Sequence, residues 1–311
     1  MLRRYITRTD AYTILHYLGT IMQGIGAILL IPIFVALIYH EFDCIVHFII
    51  PCSLSIFLGK VFYTRYKEYT KIKLKHGMFI SSISWLWATL IGASIMAFTL
   101  NIPIIDALFE NMSAWTGSGM TSFTNVEILP YSILFLRSLE QWIGGLGVII
   151  IFIGVLIRSG TAATRLYKSE ARDEKIKPSI ASTLKKTLEI YLICTAIGIC
   201  LYILAGMPIF DSVNLAFTSI STGGMSIKNA NVGYYHNDII YIITMILMIF
   251  GATSFTVHYK FAKRDIKVIF KDIQLKIMIM LIILSTIIIL LTTKILPMET
   301  LFHVISAATS T

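Results

Sequence analysis

The sequence predicts an all-α, polytopic membrane protein in which a two-helix hairpin precedes parallel repeats of span, re-entrant helix and span. Three observations lead there. Of 311 residues 56% are hydrophobic and only 14% charged, against roughly 25% charged in soluble globular chains. Seven apolar stretches reach or approach the ~20 residues that a helix needs to cross hydrocarbon, at 13–39, 44–63, 77–100, 131–157, 187–206, 237–258 and 277–295. Between these stretches one short motif recurs three times.

The first stretch is too long for a signal peptide and no small-residue cleavage site follows it, so it stays in the chain. Pro32 should bend it, because proline removes a helix hydrogen bond and clashes with the preceding turn. Seven spans leave the termini on opposite sides. Residues 1–10, 60–76, 158–186 and 260–276 hold 23 of the 26 Lys and Arg, so the positive-inside rule places them and the N-terminus in the cytoplasm. Nine of the 17 acidic residues fall outside: Glu41, Asp43, Asp106, Glu110, Glu127, Glu140, Asp211, Asp238 and Glu299. A negative outer mouth concentrates cations; topology bias and helix capping would produce the same asymmetry. A soluble enzyme, a nucleic-acid binder and a disordered scaffold are excluded by composition. Cys44, Cys52, Cys194 and Cys200 lie in apolar runs and read as small hydrophobes.

The recurring motif is proline, an acid, a short apolar run, then hydroxyls and glycines. Pro103 and Asp106 lead to Ser113-Ala114-Trp115-Thr116-Gly117-Ser118-Gly119-Met120-Thr121. Pro208 and Asp211 lead to Thr218-Ser219-Ile220-Ser221-Thr222-Gly223-Gly224-Met225-Ser226, and Pro297 and Glu299 to Ser306-Ala307-Ala308-Thr309-Ser310-Thr311. Proline followed by an acid starts a helix, with Asp106, Asp211 and Glu299 as expected caps that could also draw cations. A helix of about ten residues cannot span and must re-enter. Its C-terminal dipole end favours a cation. The segment after it needs irregular backbone at membrane depth, tolerated only when buried in protein or lining water. Glycine reaches positive φ without steric cost, so carbonyls can turn to one axis and replace a hydration shell. All copies start from the cytoplasm, so they run parallel, which suggests a central ion pore instead of the inverted repeats of rocking transporters.

At these residues the chain resembles the membrane subunit of the TrkH/KtrB potassium uptake systems. The resemblance rests on Phe109 to Thr121, on Arg137-Ser138-Leu139-Glu140-Gln141-Trp142-Ile143-Gly144-Gly145-Leu146-Gly147, on Ser221 to Gly224 and on Phe255-Thr256-Val257-His258-Tyr259. It implies four span-pore-span repeats around one pore, with a filter glycine per repeat, here Gly119 and Gly224. Related plant transporters that prefer sodium often carry Ser at the first position, so Gly119 favours potassium. The implied ion-filter residues are Thr116, Gly117, Ser118, Gly119, Ser221, Thr222, Gly223 and Gly224, with Thr309, Ser310 and Thr311 beginning a third set.

The expected divisions are 1–76 as leading hairpin, 77–186 as first repeat with its cytoplasmic loop, 187–272 as second repeat and 273–311 as an incomplete third. The third motif stops at Thr311, one residue before its filter glycine. The expectation is therefore the N-terminal part of a longer or split frame, non-conducting alone, without the gating segment and fourth-repeat basic residue that the resemblance implies. Expected partners are potassium as transported substrate, membrane lipid, a second copy in a homodimer and a cytosolic nucleotide-binding regulatory subunit docking near 158–186. No cofactor and no nucleic acid are expected, and the site is the plasma membrane. Two other classes remain compatible with the sequence: a non-conducting scaffold, and a cation-coupled secondary transporter, for which acids lying outside and not at mid-span speak little. Gly144, Gly145, Gly147 and Gly251 read as close helix packing. Arg137 and Glu140, three apart, should pair or snorkel. His16, His258 and His303 have no second ligand at metal spacing, and no catalytic constellation is visible.

Overall fold

The computed structural model describes residues 7–68, 73–147, 180–262 and 272–311, and the regular structure among them is helical. Residues 148–179 and 263–271, with most of the basic loop 158–186, lie outside the described residues.

Helix α1 (Arg8–Ile28) opens with a reciprocal cap: the Thr7 hydroxyl accepts from the Asp10 amide and the Asp10 carboxylate from the Thr7 amide, both at 3.1 Å. Asp10 also accepts from Lys75 Nζ at 2.8 Å and faces His76 Nε2 at 2.9 Å. The chain leaves helical geometry after Ile28 and resumes as α2 (Pro32–Ile38). Pro32, lacking an N–H, sits at the start of the second piece as expected. α3 (Phe42–Arg65) returns against α1 through Gly19 and Gly59, where an added Cβ would lie 2.6 Å from the facing carbonyl on either side. Ser55 ties the hairpin to α4 (Leu74–Leu100): its hydroxyl donates to the Met22 carbonyl at 2.8 Å and accepts from Trp87 Nε1 at 2.8 Å.

Next come α5 (Ile104–Thr116), α6 (Tyr131–Leu146), α7 (Ile180–Leu204), α8 (Ile209–Ile220), a 3₁₀ turn (Asn231–Tyr235), α9 (Asp238–Ala252), α10 (Phe255–Ala262), α11 (Ile273–Thr292) and α12 (Pro297–Thr309). Among the described residues five helical stretches are long and apolar enough to cross a membrane: Arg8–Ile38, α3, α4, Lys185–Leu204 and α11. Their positions match five of the seven expected spans within a few residues at most ends.

Of the other two, one is described only in part and one is corrected. In the stretch expected at 131–157, the helix that begins at Tyr131 ends at Leu146, where Gly147 takes φ 85°; residues 148–157 lie outside the described residues. The stretch expected at 237–258 breaks after Ala252 at an extended Thr253 (φ −85°, ψ 138°). A break strands C-terminal carbonyls; the His258 ring reaches that of Phe250 at 2.9 Å. The short helices α5, α8 and α12 have 13, 12 and 13 residues, roughly 20 Å at 1.5 Å per residue, so none can span.

A second correction concerns the expected caps. Pro103, Pro208 and Leu296 occupy the cap positions and no side chain caps any of the three starts. Asp106, Asp211 and Glu299 instead sit third in each helix, where a carboxylate complements the dipole without capping. Asp211 accepts from the Tyr235 hydroxyl at 2.8 Å. Glu41, by contrast, does cap: its carboxylate accepts from the amides of Tyr131 and Ser132 at 2.6 and 2.9 Å, at the start of α6.

Each short helix packs on the span before it, α5 on α4, α8 on α7 and α12 on α11. It also packs on the helix after it where that is described, α5 on α6 and α8 on α9, and the helix ending one motif packs on the short helix of the next, α6 on α8 and α9 on α12.

Candidate permeation site

The three short helices end alike. Gly117, Thr222 and Ser310 take φ of 69°, 53° and 58°. Their amides donate to Ala114, Ser219 and Ala307 at 3.1, 3.2 and 3.3 Å. The following amides, of Ser118, Gly223 and Thr311, donate to Ser113, Thr218 and Ser306 at 3.1, 2.9 and 2.9 Å. These are paired C-terminal caps around one left-handed residue. Two positions on, Gly119 and Gly224 are left-handed again, at 70° and 76°. The alternation matches in the first two copies, and the third shares its described part.

The segments meet backbone to backbone. A Cβ on Gly119 would strike the Gly223 carbonyl oxygen, and one on Gly224 would lie 2.6 Å from the Thr311 carbonyl carbon. Positive φ and lack of room thus demand glycine at both positions. On their outer sides the helix ends rest on bare glycine: a Cβ on Gly144 would strike the Trp115 carbonyl oxygen, and one on Gly251 that of Ile220. Trp115 and Ile220 occupy the same place in their motifs, so one contact recurs. Gly145 abuts Ser221, whose Cβ would be 2.7 Å from an added Cβ. The packing expected for these three glycines is what the structure contains; Gly147 is a helix terminator instead.

The expected oxygens are partly committed. Thr116 and Thr309 hydroxyls donate back to the Met112 and Ile305 carbonyls at 2.7 and 2.8 Å, and Ser221 donates to Thr218 at 3.3 Å. The Ser118 hydroxyl donates to Ser113 Oγ at 3.1 Å. The Gly223 carbonyl accepts from Gln141 Nε2 at 2.7 Å, while Gln141 Oε1 accepts from the Met225 amide at 3.1 Å. A single amide from α6 therefore grips two points of the second segment.

A second brace lies outward of it. Arg137 donates through Nε to Glu110 at 3.3 Å, through one terminal nitrogen to the Ser226 carbonyl at 3.2 Å and through the other to Thr121 Oγ1 at 3.2 Å. Glu110 also accepts from the Thr121 hydroxyl at 2.6 Å and from the Ser122 amide at 2.5 Å. Arg137 is 2% exposed and Glu110 fully buried. The expectation that Arg137 pairs with Glu140 or snorkels is overturned: Glu110, six residues before the end of α5, takes the guanidinium. Glu110 and Glu140, expected among the outer acids, are both fully buried in the protein. Further out, Asn229 joins the two loops, its amide donating to Glu127 at 2.9 Å and its Oδ1 accepting from the Val126 amide at 2.8 Å.

Sequence reading missed Gln141, Glu110 and Arg137 as supports of the site. The signal was present: ionisable and amide side chains in apolar helices are costly and face the interior.

Re-entrant helices of like direction, capped alike and joined backbone to backbone between apolar helices, define a polytopic membrane protein of the re-entrant-loop class. The chain belongs to the TrkH family of cation transport proteins, whose profile matches residues 45–310. It is 42% identical over 308 residues to an uncharacterized cation transporter of Methanocaldococcus jannaschii, covering 98% of this chain and 64% of that one. It is 31% identical over 273 residues to the Trk system potassium uptake protein TrkG of Escherichia coli, covering 86% of this chain and 56% of that protein. The crystal structure of the potassium transporter TrkH from Vibrio parahaemolyticus superimposes with a TM-score of 0.79 at 26% identity, over 96% of this chain and 64% of that one. The chain thus spans between about half and two thirds of the length of these relatives.

Proposed function

We propose that this chain forms part of the pore subunit of a Trk-type potassium uptake system, carrying potassium across the plasma membrane through a backbone-lined filter. The observation that carries the reading is the contact of Gly119 with Gly223 and of Gly224 with Thr311, which brings three C-terminal helix ends to one place. Such ends favour a cation and glycine-rich backbone can substitute for its water. The filter comprises Thr116, Gly117, Ser118, Gly119, Ser221, Thr222, Gly223 and Gly224, with Thr309, Ser310 and Thr311 contributing from the third motif. The potassium uptake named for the relatives from Escherichia coli and Vibrio parahaemolyticus supports the choice of ion.

The basic loops place the N-terminus in the cytoplasm. Assembly as a homodimer with a cytosolic nucleotide-binding regulator, and the division into hairpin and repeats at 76, 186 and 272, belong to the same proposal. The test is growth of a potassium-uptake-deficient bacterial strain on limiting potassium. Expression of a complete pore subunit that contains this chain restores growth, and Gly119→Ser in it weakens the preference for potassium over sodium in rubidium and sodium influx. Unaltered preference in that variant sinks the assignment.

A further inference from the structure

Behind the first segment lie four buried polar atoms that no neighbour satisfies: Asn111 Oδ1, both Glu140 carboxyl oxygens and Trp115 Nε1. All three side chains are fully buried. Asn111 Oδ1 and Glu140 Oε1 converge on the same bare backbone, since a Cβ on Gly92 of α4 would strike both. The Asn111 amide is fixed in orientation, because its Nδ2 donates to the Ala107 carbonyl at 2.8 Å and toward Met96 Sδ at 3.6 Å. Its oxygen therefore shares the space beside Gly92 with Glu140 Oε1, two acceptors brought together with no donor for either.

Among the described residues, Arg137 is the cation set beside Glu140, and it is engaged elsewhere. Arg137, one turn before it on α6, has Nε on Glu110 and its two terminal nitrogens on Ser226 and Thr121. Glu110 already balances that guanidinium, so an ionised Glu140 would leave a net buried negative charge, which proteins avoid by protonation. The other groups facing the carboxyl are the Cys52 thiol of α3 and the Trp115 indole of α5. Neither carries positive charge.

We infer that Glu140 is held as the neutral carboxylic acid, donating its proton to Asn111 Oδ1 and accepting from Trp115 Nε1, and so acts as a positioning residue for the end of the first re-entrant helix. The proton supplies the missing hydrogen between Asn111 Oδ1 and Glu140, and the indole N–H is left for the other carboxyl oxygen. The carboxyl ties α6 to α5 at Trp115, whose carbonyl rests on Gly144 and whose neighbour Thr116 begins the first segment. The inference does not depend on which ion the chain carries, and its readouts are spectroscopic and thermal, so it fails or stands apart from the transport reading.

The test uses the purified chain in lipid nanodiscs. Infrared spectra at neutral pH contain a protonated-carboxyl C=O band that Glu140→Gln removes. Glu140→Gln, which keeps both a donor for Asn111 and an acceptor for Trp115, melts with the wild type, whereas Glu140→Ala melts several degrees lower or does not fold. Asn111→Ala, which removes the acceptor, shifts the band. The absence of a wild-type-minus-Glu140→Gln band, a band unmoved by Asn111→Ala, or a Glu140→Gln variant as unstable as Glu140→Ala would overturn the inference.

Discussion

Gly119 and Gly224 show how one residue type answers two demands. A left-handed backbone costs a residue with a Cβ about 1–2 kcal/mol, and at these positions the Cβ also collides with the next segment's backbone. That demand is legible in the sequence, because glycine among hydroxyls is what such backbone selects. The braces were not legible, because their partners are 27, 82 and 84 residues apart and share no local pattern. The Glu110–Arg137 pair yields a prediction at this scale. Glu110→Gln leaves a buried guanidinium without its counter-charge, so unfolding free energy falls by about 3–5 kcal/mol. Glu110→Gln with Arg137→Met removes both charges and recovers most of that loss. A thermal double-mutant cycle reads the coupling, and additive losses would show that the pair is not the brace described.

At the scale of elements, helix existence followed from apolar length alone, while the ends of α6 at Leu146 and of α9 at Ala252 did not. Hydropathy runs unbroken through Gly147 and Thr253, and only the neighbouring re-entrant helices give the chain a reason to stop there. Those helices rest on Gly144 and Gly251 in the same way, so Gly144→Ala and Gly251→Ala each overpack a helix end. Each should cost about 1–3 kcal/mol, and the double variant should lose the sum, since the two glycines share no contact partner. Denaturant titration in detergent checks this, and a near-neutral effect at either site would mean that the helices are free to part. The 3₁₀ turn after the second segment is anchored by Tyr235 to Asp211. Burial first, and then the Asp211 carboxylate, push the Tyr235 phenol above its ordinary range. The neutral phenol is the form that the folded state prefers. Its contribution is complete below the ordinary value of about 10 and is lost as pH rises beyond it. Tyr235→Phe should therefore show a shallower fall in melting temperature than the wild type on strongly alkaline titration.

Across the whole molecule, three copies of one motif are arranged so that α6 supports α8 and α9 supports α12. The repetition was legible because the residue order itself repeats; the hand-over between copies was not, since it needs contacts between helices of different motifs. In the proposed filter the three segments form one site, and a site built from three parts of the chain should couple ion binding to folding. A ligand that binds only the folded state stabilises it by RT ln(1 + [L]/Kd), about 2.7 kcal/mol at a hundredfold excess over Kd. Raising potassium at constant ionic strength, with a large organic cation as replacement, should therefore raise the melting temperature of the chain progressively, and sodium should do so less. Gly119→Ser should flatten the potassium response, because the added side chain displaces the Gly223 carbonyl from the first segment. A non-conducting scaffold has no reason to respond to either ion. A melting temperature indifferent to potassium, in a preparation that melts cooperatively, would favour the scaffold over the pore.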